Sequence, residues 1–490
     1  MAVSVAKNAF YLTVATIGQK VLAFLYFLFV AKVFLKEQTG AYFLALTVTT
    51  IFSVVADFGI TPVVIREVAK EAEQALGLVR RALGLKLPII ILSIVGAILA
   101  ARLLGYSAEI QFLVLLACVI MAEDAISLLY FGVLRGLHVL QYESLGMMIG
   151  GLITVTIGGL SLLIHPSLVF LIVALAVGSL FNAIFSASLV VKKLGWPAII
   201  PSFKKWGQLL KTSLPFFLAG GFSKLYSYID SILLSAFIGV GAVGIYAVAY
   251  KMTYAFQFLP MAFVAALYPG MSSMVGRDTG KLAEMFEKSM WYLLIISSPI
   301  VFGIFAIAPD VVNLTRKEYF EAVPVLRALI FVLLPLFLDF PIGSLLNAAG
   351  RQTTKTIIMG ATMVINAGFN LLLIPYLGIV GAAWTAEISF WFMFLAGLYF
   401  VPQIIPEFSW KKLLWLSVRI IGSGALMALV TIVFRPITGL MPVIILAGIV
   451  YIGLLFITKA VSLSQLKELK NLLSRKKIVP AYVEDSAHHS

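Results

Sequence analysis

The chain has 490 residues, of which 61% are hydrophobic and only 12% charged, with a net charge of +14 and a mean hydropathy of +1.06. Soluble domains carry about a quarter charged residues, so this is an integral membrane protein, and the apolar runs are too long for the short alternating strands of a membrane barrel. A single cysteine, Cys118, and His138, His165, His488 and His489 without ligand spacing exclude a disulfide framework and point to no metal, redox centre or cofactor.

In chain order, apolar runs long enough to cross ~30 Å of hydrocarbon as helices fall near residues 9–34, 40–65, 83–104, 110–136, 145–165 and 168–191. Others follow near 210–237, 243–268, 289–309, 322–348, 355–376, 379–405, 412–434 and 438–460. The expected fold is an all-α polytopic membrane protein of about fourteen helices. The first run has no small-residue cleavage site and is expected to stay as the first span. Basic residues gather between odd and even spans, among them Arg66, Lys70, Arg80, Arg81, Lys86, Lys192, Lys193, Arg277, Lys281, Arg351 and Lys355. The positive-inside rule then places both termini in the cytoplasm of a multi-pass plasma-membrane protein. The partners of so basic a chain are anionic headgroups and not nucleic acid.

The longest polar break inside the array is KKLGWPAIIPSFKKWGQLLK, Lys192 to Lys211. Its bases and tryptophans suit the membrane interface, so it reads as a linker. The resulting organisation is an N-terminal six-helix lobe (1–191), an interfacial linker (192–209), a second six-helix lobe (210–405), two extra helices (406–462) and a basic cytoplasmic tail (463–490). In the tail, KELKNLLSRKK from Lys467 has helical spacing and reads as a solvated or membrane-surface helix.

The lobes resemble each other. FVAKVFLKEQTGAYFLALTVT, from Phe29, lies on DSILLSAFIGVGAVGIYAVAYKMT, from Asp230, pairing Gly40 with Gly244, Tyr42 with Tyr246 and Lys20 with Lys224. LRGLHVLQYE, from Leu134, corresponds to LNAAGRQTTK, from Leu346. Equivalent helices six spans apart share an orientation, so the repeats are parallel, related by an axis along the membrane normal, with a site expected between them at mid-depth.

A charge at the bilayer centre costs ~2.5–3.5 kcal/mol on insertion scales, so such residues normally face water or one another. This chain carries Lys20, Asp57, Glu123, Asp124, Lys224, Asp230, Lys251, Asp339 and Glu387 inside its spans. Lys20 and Lys224 lie too far from helix ends to snorkel; each either pairs with a carboxylate such as Asp57 or Asp230, or joins a clamp for a bulky anion, with Lys251 as a third charge. Asp57, Asp124, Asp230, Asp339 and Glu387 either bind a driving Na⁺ or H⁺ or balance the lysines. Asp57 is tolerable on a wet face, with Gly59 and Pro62 bending its helix. Asn366 and Asn370 share one helix face, as do Tyr226 and Asp230, which suits either a lined path or interhelical hydrogen bonding. Tyr226, Tyr228, Tyr246, Tyr250 and Tyr254 suit either sugar stacking or an interfacial belt.

Four segments carry a resemblance: DFGITPVVIREVAK (from Asp57), LRGLHVLQYE, LLKTSLPFFLAGGFSKLYSYIDSILLSAFIGVGAVGIYAVAYKM (from Leu209) and NLLLIPYLGIVGAAWTAEIS (from Asn370). Their order and spacing resemble the polysaccharide and O-antigen flippases of the multidrug/oligosaccharidyl-lipid/polysaccharide exporter superfamily, over about residues 1–405. The resemblance implies two lobes around a cavity that opens alternately to each face. It implies a polyprenyl-diphosphate-linked oligosaccharide as substrate, moved from the cytoplasmic to the external leaflet without covalent chemistry. The family's cationic cavity maps onto Lys20, Lys224 and Lys251. Membrane lipids and glycan-assembly proteins are the other implied partners, around a monomer. The alternatives are a cation or drug antiporter of the same superfamily, which should lack central lysines, and a membrane-embedded polymerase, which should carry a substantial extracytoplasmic loop.

Overall fold

The computed structural model describes residues 2–203 and 206–461, with side chains from residue 17 onward. Lys204, Lys205 and the expected tail helix lie outside the described residues, which form helices and no strand. Among the described residues, twelve helices are long and apolar enough to cross a membrane. Hydrocarbon offers no partner to an open N–H or C=O, so each span satisfies its backbone within itself.

The N-terminal lobe comprises α1 (Ala2–Val33), α2 (Lys36–Asp57), α3 (Ile60–Lys70), α4 (Ala75–Leu103), α5 (Ala108–Gly136), α6 (Gln141–Ile164) and α7 (Leu168–Leu194). The second lobe comprises α8 (Trp206–Phe237), α9 (Val240–Tyr254), α10 (Phe258–Met274), α11 (Thr279–Ala306), α12 (Ala308–Val312), α13 (Ala322–Leu329), α14 (Leu333–Ala348), α15 (Gln352–Leu377) and α16 (Ile379–Tyr399). The final helices are α17 (Trp410–Thr438) and α18 (Leu440–Ile457). The two long helices outside the twelve candidate spans, α1 and α8, are the ones that carry Lys20 and Lys224.

The chain divides into two compact units, one of Met1–Leu293 with Ile307–Phe408 and one of Leu294–Ala306 with Ser409–Ser490. In the larger unit the packing of one lobe recurs in the other: α1 lies on α6 as α8 lies on α15, and α6 on α7 as α15 on α16. In the smaller unit Ser298 Oγ donates to the Ile420 carbonyl at 3.1 Å, and the Tyr451 hydroxyl to the Ile295 carbonyl at 3.0 Å. Gly424 there takes Ser298 and Phe302 against its backbone, a close approach that only glycine permits.

Two seams join the lobes, and both use α2. At its N-terminal end α2 packs along α9, where Gly40 meets the Val240 carbonyl and lies close to Gly244. The neighbouring loop reinforces this end. Lys36 pairs with Glu321 at 2.8 Å, Arg316 donates to the Val33 carbonyl at 2.7 Å, and the Tyr319 hydroxyl lies within hydrogen-bond distance of both Phe34 O and Thr39 Oγ1.

At the other end α2 stops at Asp57, and both Phe58 (φ 47°) and Gly59 (φ 67°) are left-handed before α3 begins. Left-handed backbone disfavours a Cβ, so Gly59 is the natural second residue of this break. A Cβ on Gly59 would also lie 2.6 Å from Phe217 N on α8, while Phe58 stacks on Phe217 with centroids 4.5 Å apart. The bend therefore falls at Phe58 and Gly59; Pro62 lies in the first turn of α3, where a missing N–H costs nothing.

The linker is largely built into its neighbours. Lys192 and Lys193 end α7, Trp196–Ile199 is a short 3-10 turn, and Trp206 starts α8. Arg80 Nε donates to Ile200 O at 3.2 Å and Ser202 N to Arg80 O at 2.7 Å, so the segment before α8 is strapped to α4.

Candidate functional site

A partly open cavity of about 410 Å³ lies inside the second lobe, walled by α8, α9, α14, α15 and α16. That is the size of a small-ligand pocket, typically ~300–1,000 Å³. The lining of this cavity comes from the second lobe alone. Of the repeat-equivalent lysines Lys20 and Lys224, Lys224 lines this space and Lys20 does not.

One wall is aromatic. Tyr246, Tyr250 and Tyr254 follow at intervals of four on α9 and so share a face. Tyr250 and Tyr254 stack with centroids 4.2 Å apart, Tyr254 approaches Phe390 of α16 at 6.2 Å, and Tyr226 of α8 meets Phe390 edge-on at 5.2 Å. The tyrosines are thus inside the lobe and do not form an interfacial belt. The Tyr226 hydroxyl is buried without a partner among the described residues.

The other walls are charged. Asp230, 5% exposed, accepts from the Tyr246 hydroxyl and from Ser231 N at 2.8 Å. Asp339 of α14 lies in the field of Lys355 of α15, whose ammonium fits against the bare Cα of Gly343. Lys224 sits 5.7 Å from the Tyr228 ring centroid, a cation–π distance, with no carboxylate in ion-pairing range among the described residues.

Lys20 and Lys251 form a separate, cationic place. Lys251 is adjacent to Tyr250 in the chain, yet its ammonium reaches toward the first lobe, 5.4 Å from the Phe43 ring centroid. Lys20 of α1 is the like charge that acts on it. Lys251 thus reaches from α9 toward the first lobe, where Lys20 acts on it, while the repeat-equivalent Lys224 lines the cavity of the second lobe.

Asp57 has a partner that sequence reading placed elsewhere. Lys86 Nζ lies 2.6 Å from Asp57 Oδ1, 3.2 Å from Thr61 Oγ1 and 2.8 Å from the Ala125 carbonyl. Lys86 is 0% exposed and Asp57 is 21% exposed by side chain. Asp57 therefore balances a buried lysine that reading by loop charge counted as a cytoplasmic base, and it does not pair with Lys20. The missed signal was position, since Lys86 already lay inside the expected span 83–104.

The remaining residues divide by environment. Asn370 Nδ2 donates to Asn366 Oδ1 at 2.9 Å, and Asn366 Nδ2 to Ser389 Oγ at 3.2 Å, a ladder that ties α15 to α16. Asn366 borders the cavity; Asn370 does not. Glu387 accepts from Trp391 Nε1 at 2.6 Å, leaving its second oxygen buried without a partner among the described residues. Asp124 accepts from Ser179 Oγ across α5 and α7, in the first lobe and away from the cavity. Among the described residues no cluster of His, Cys, Asp and Glu could hold a metal ion.

Lys355 was also missed as a site residue. In the aligned segments it stands where the first lobe has Glu143, which pairs with Arg135. Lys355 and Asn366 are three helical turns apart, which puts them on one face of α15 and would have placed Lys355 at the site.

Comparison with known proteins agrees with this architecture. The protein is 26% identical to a probable low-salt glycan biosynthesis flippase, Agl15, of Haloferax volcanii, over 94% of this chain and 96% of that one. It is also 26% identical to an uncharacterized membrane protein of Methanocaldococcus jannaschii, over 74% of this chain and 73% of the relative. Among solved structures, the lipid II flippase MurJ in an inward closed conformation superposes with a TM-score of 0.71 at 16% identity, covering 94% of this chain and 99% of that chain. Residues 215–372 match the MatE family, whereas residues 5–275, more than half of the chain, match the polysaccharide biosynthesis protein family. The chain belongs to that family.

Proposed function

We propose that this protein is a flippase that carries a polyprenyl-diphosphate-linked oligosaccharide from the cytoplasmic to the external leaflet by alternating access. The observation that carries the reading is the juxtaposition on α9 of Lys251, facing Lys20 of the other lobe, and Tyr250, facing the polar cavity. Unaided flipping is blocked because hydroxyls and phosphates lose their water in hydrocarbon. A cationic place between two lobes, open sideways to lipid, removes that barrier while the polyprenyl tail stays outside. Lysines suit a diphosphate as mobile point charges. The central lysines also disfavour an antiporter of cationic drugs, whose cavity needs net negative charge.

With both termini cytoplasmic, as the basic loops indicate, the glycine seam of α2 and α9 closes the external side. Transport needs no covalent step from the protein. Asp230, Asp339 and Glu387 are the candidates for a coupling Na⁺ or H⁺, supported by the buried oxygen of Glu387 that lacks a partner. The protein works as a monomer beside the enzymes that build and polymerise the glycan.

The test is flipping of a short-sugar polyprenyl diphosphate in liposomes, wild type beside Lys20→Ala/Lys251→Ala. Movement by wild type and loss in a folded double mutant are expected. A wild type that neither binds nor moves the lipid would overturn the reading and leave the antiporter to be tested with cationic substrates.

A further inference from the structure

We infer that the cavity of the second lobe is the subsite for the first sugar attached to the diphosphate, and that Tyr250 and Tyr254 set its selectivity. The inference rests on the flippase reading above. It starts from the two faces of one helix. Lys251 and Tyr250 are consecutive, so their side chains diverge by ~100° around α9, at ~3.6 residues per turn. One points toward Lys20 and the first lobe, the other into the cavity. The proposal places the phosphates at Lys251 and the directly attached sugar beside Tyr250, on the adjoining face of α9, with sugars farther along the glycan beyond this pocket.

The lining has the chemistry of a sugar pocket. Tyr250 and Tyr254 stack at 4.2 Å and offer a ring platform to the apolar face of a pyranose. Asp339, Lys355 and the unpartnered hydroxyl of Tyr226 supply acceptors and donors for ring hydroxyls. The volume, about 410 Å³, admits a short saccharide and excludes a long glycan. At the position of the first lobe that corresponds to Lys355, Glu143 is tied up by Arg135. Affinity for the carrier then resides in lysines that both lobes supply, and recognition of the sugar in the second lobe alone. Such a flippase tolerates glycans of different length that begin with the same sugar.

The experiment measures binding of two probes to the full-length protein in detergent: farnesyl diphosphate, and the same lipid carrying one sugar with a photoreactive group. Wild type should bind the glycosylated probe more tightly, by about fivefold to tenfold, the gain of one good ring contact. Tyr254→Leu should lose that gain while binding farnesyl diphosphate as before, which also shows that it is folded; Tyr254→Phe, which keeps the ring, should retain it. Photolysis should label peptides from α8, α9 or α14 to α16. Equal binding of both probes by wild type, or labelling confined to the first lobe, would sink the sugar subsite and leave the flippase reading standing. Failure of wild type to bind either probe would remove both.

Discussion

Gly40 on α2 and Gly244 on α9 fill each other's missing side-chain space. A Cβ on Gly40 would strike the Val240 carbonyl and lie 3.1 Å from Gly244 N; a Cβ on Gly244 would strike the Lys36 carbonyl and lie 3.1 Å from Gly40 N. Each glycine thus faces the carbonyl four residues before the other, so the seam is itself a two-fold contact between repeats. Small residues that let backbones touch are a strong association device in membranes, where apolar side chains gain little by leaving lipid. Gly40→Leu or Gly244→Leu should force α2 and α9 apart, costing roughly 1–3 kcal/mol as overpacking does. Transport in liposomes should fall steeply, while Gly18→Leu, where no atom lies near, should be far milder.

Breaking the buried pair of Lys86 and Asp57 by replacing one member leaves a charge without its partner. Lys86→Met should destabilise the protein by ~3–5 kcal/mol, and Lys86→Met with Asp57→Leu should recover most of the loss. Denaturant titration of the purified variants reads the difference. A single variant as stable as wild type would mean that the pair is wetter than its 0% and 21% side-chain exposures indicate.

Lys20 on α1 and Lys251 on α9 are like charges near enough for one to act on the other. Lys251→Glu should convert that repulsion into an inter-lobe ion pair. Transport should then fall below that of Lys251→Gln, and raising ionic strength should restore part of it if the pair is exposed to water. Equal activity of the two variants would place the lysines too far apart to matter.

The stacked rings of Phe58 and Phe217 mark the second seam. Paired cysteines at these positions should cross-link on oxidation and arrest flipping, with activity returning under reductant. Cys118 is buried and contributes no competing thiol at the surface. Full transport by the cross-linked protein would show that this seam stays shut throughout the cycle.

The fold was largely legible because membrane helices follow from apolar run length, and the repeat from three matched columns, Gly40 with Gly244 among them. The site was legible only by residue type. Lys20, Lys224, Lys251, Tyr226, Asp230 and Asp339 stood out as polar groups within apolar runs. What they face depends on helix rotation, which helices of low amphipathic contrast do not reveal. Lys224 and Lys20 occupy the same column of the repeat yet look into different spaces. Lys86 and Lys355 sit near span ends, where a loop base and a site residue look alike until a partner such as Asp57 or Asp339 is seen. The asparagine ladder was legible as one of two alternatives, because spacing by four describes both a lined path and a helix seam.

The break at Phe58 and Gly59 has a mechanical consequence. Because α2 touches the second lobe at one end through Gly40 and at the other through the residues that follow Asp57, it works like the spine of a book. For either face to open wide, one end of that spine has to let go. The left-handed turn uncouples the two ends, so one binding can part while the other holds. A straight helix would have made the lobes a single rigid board.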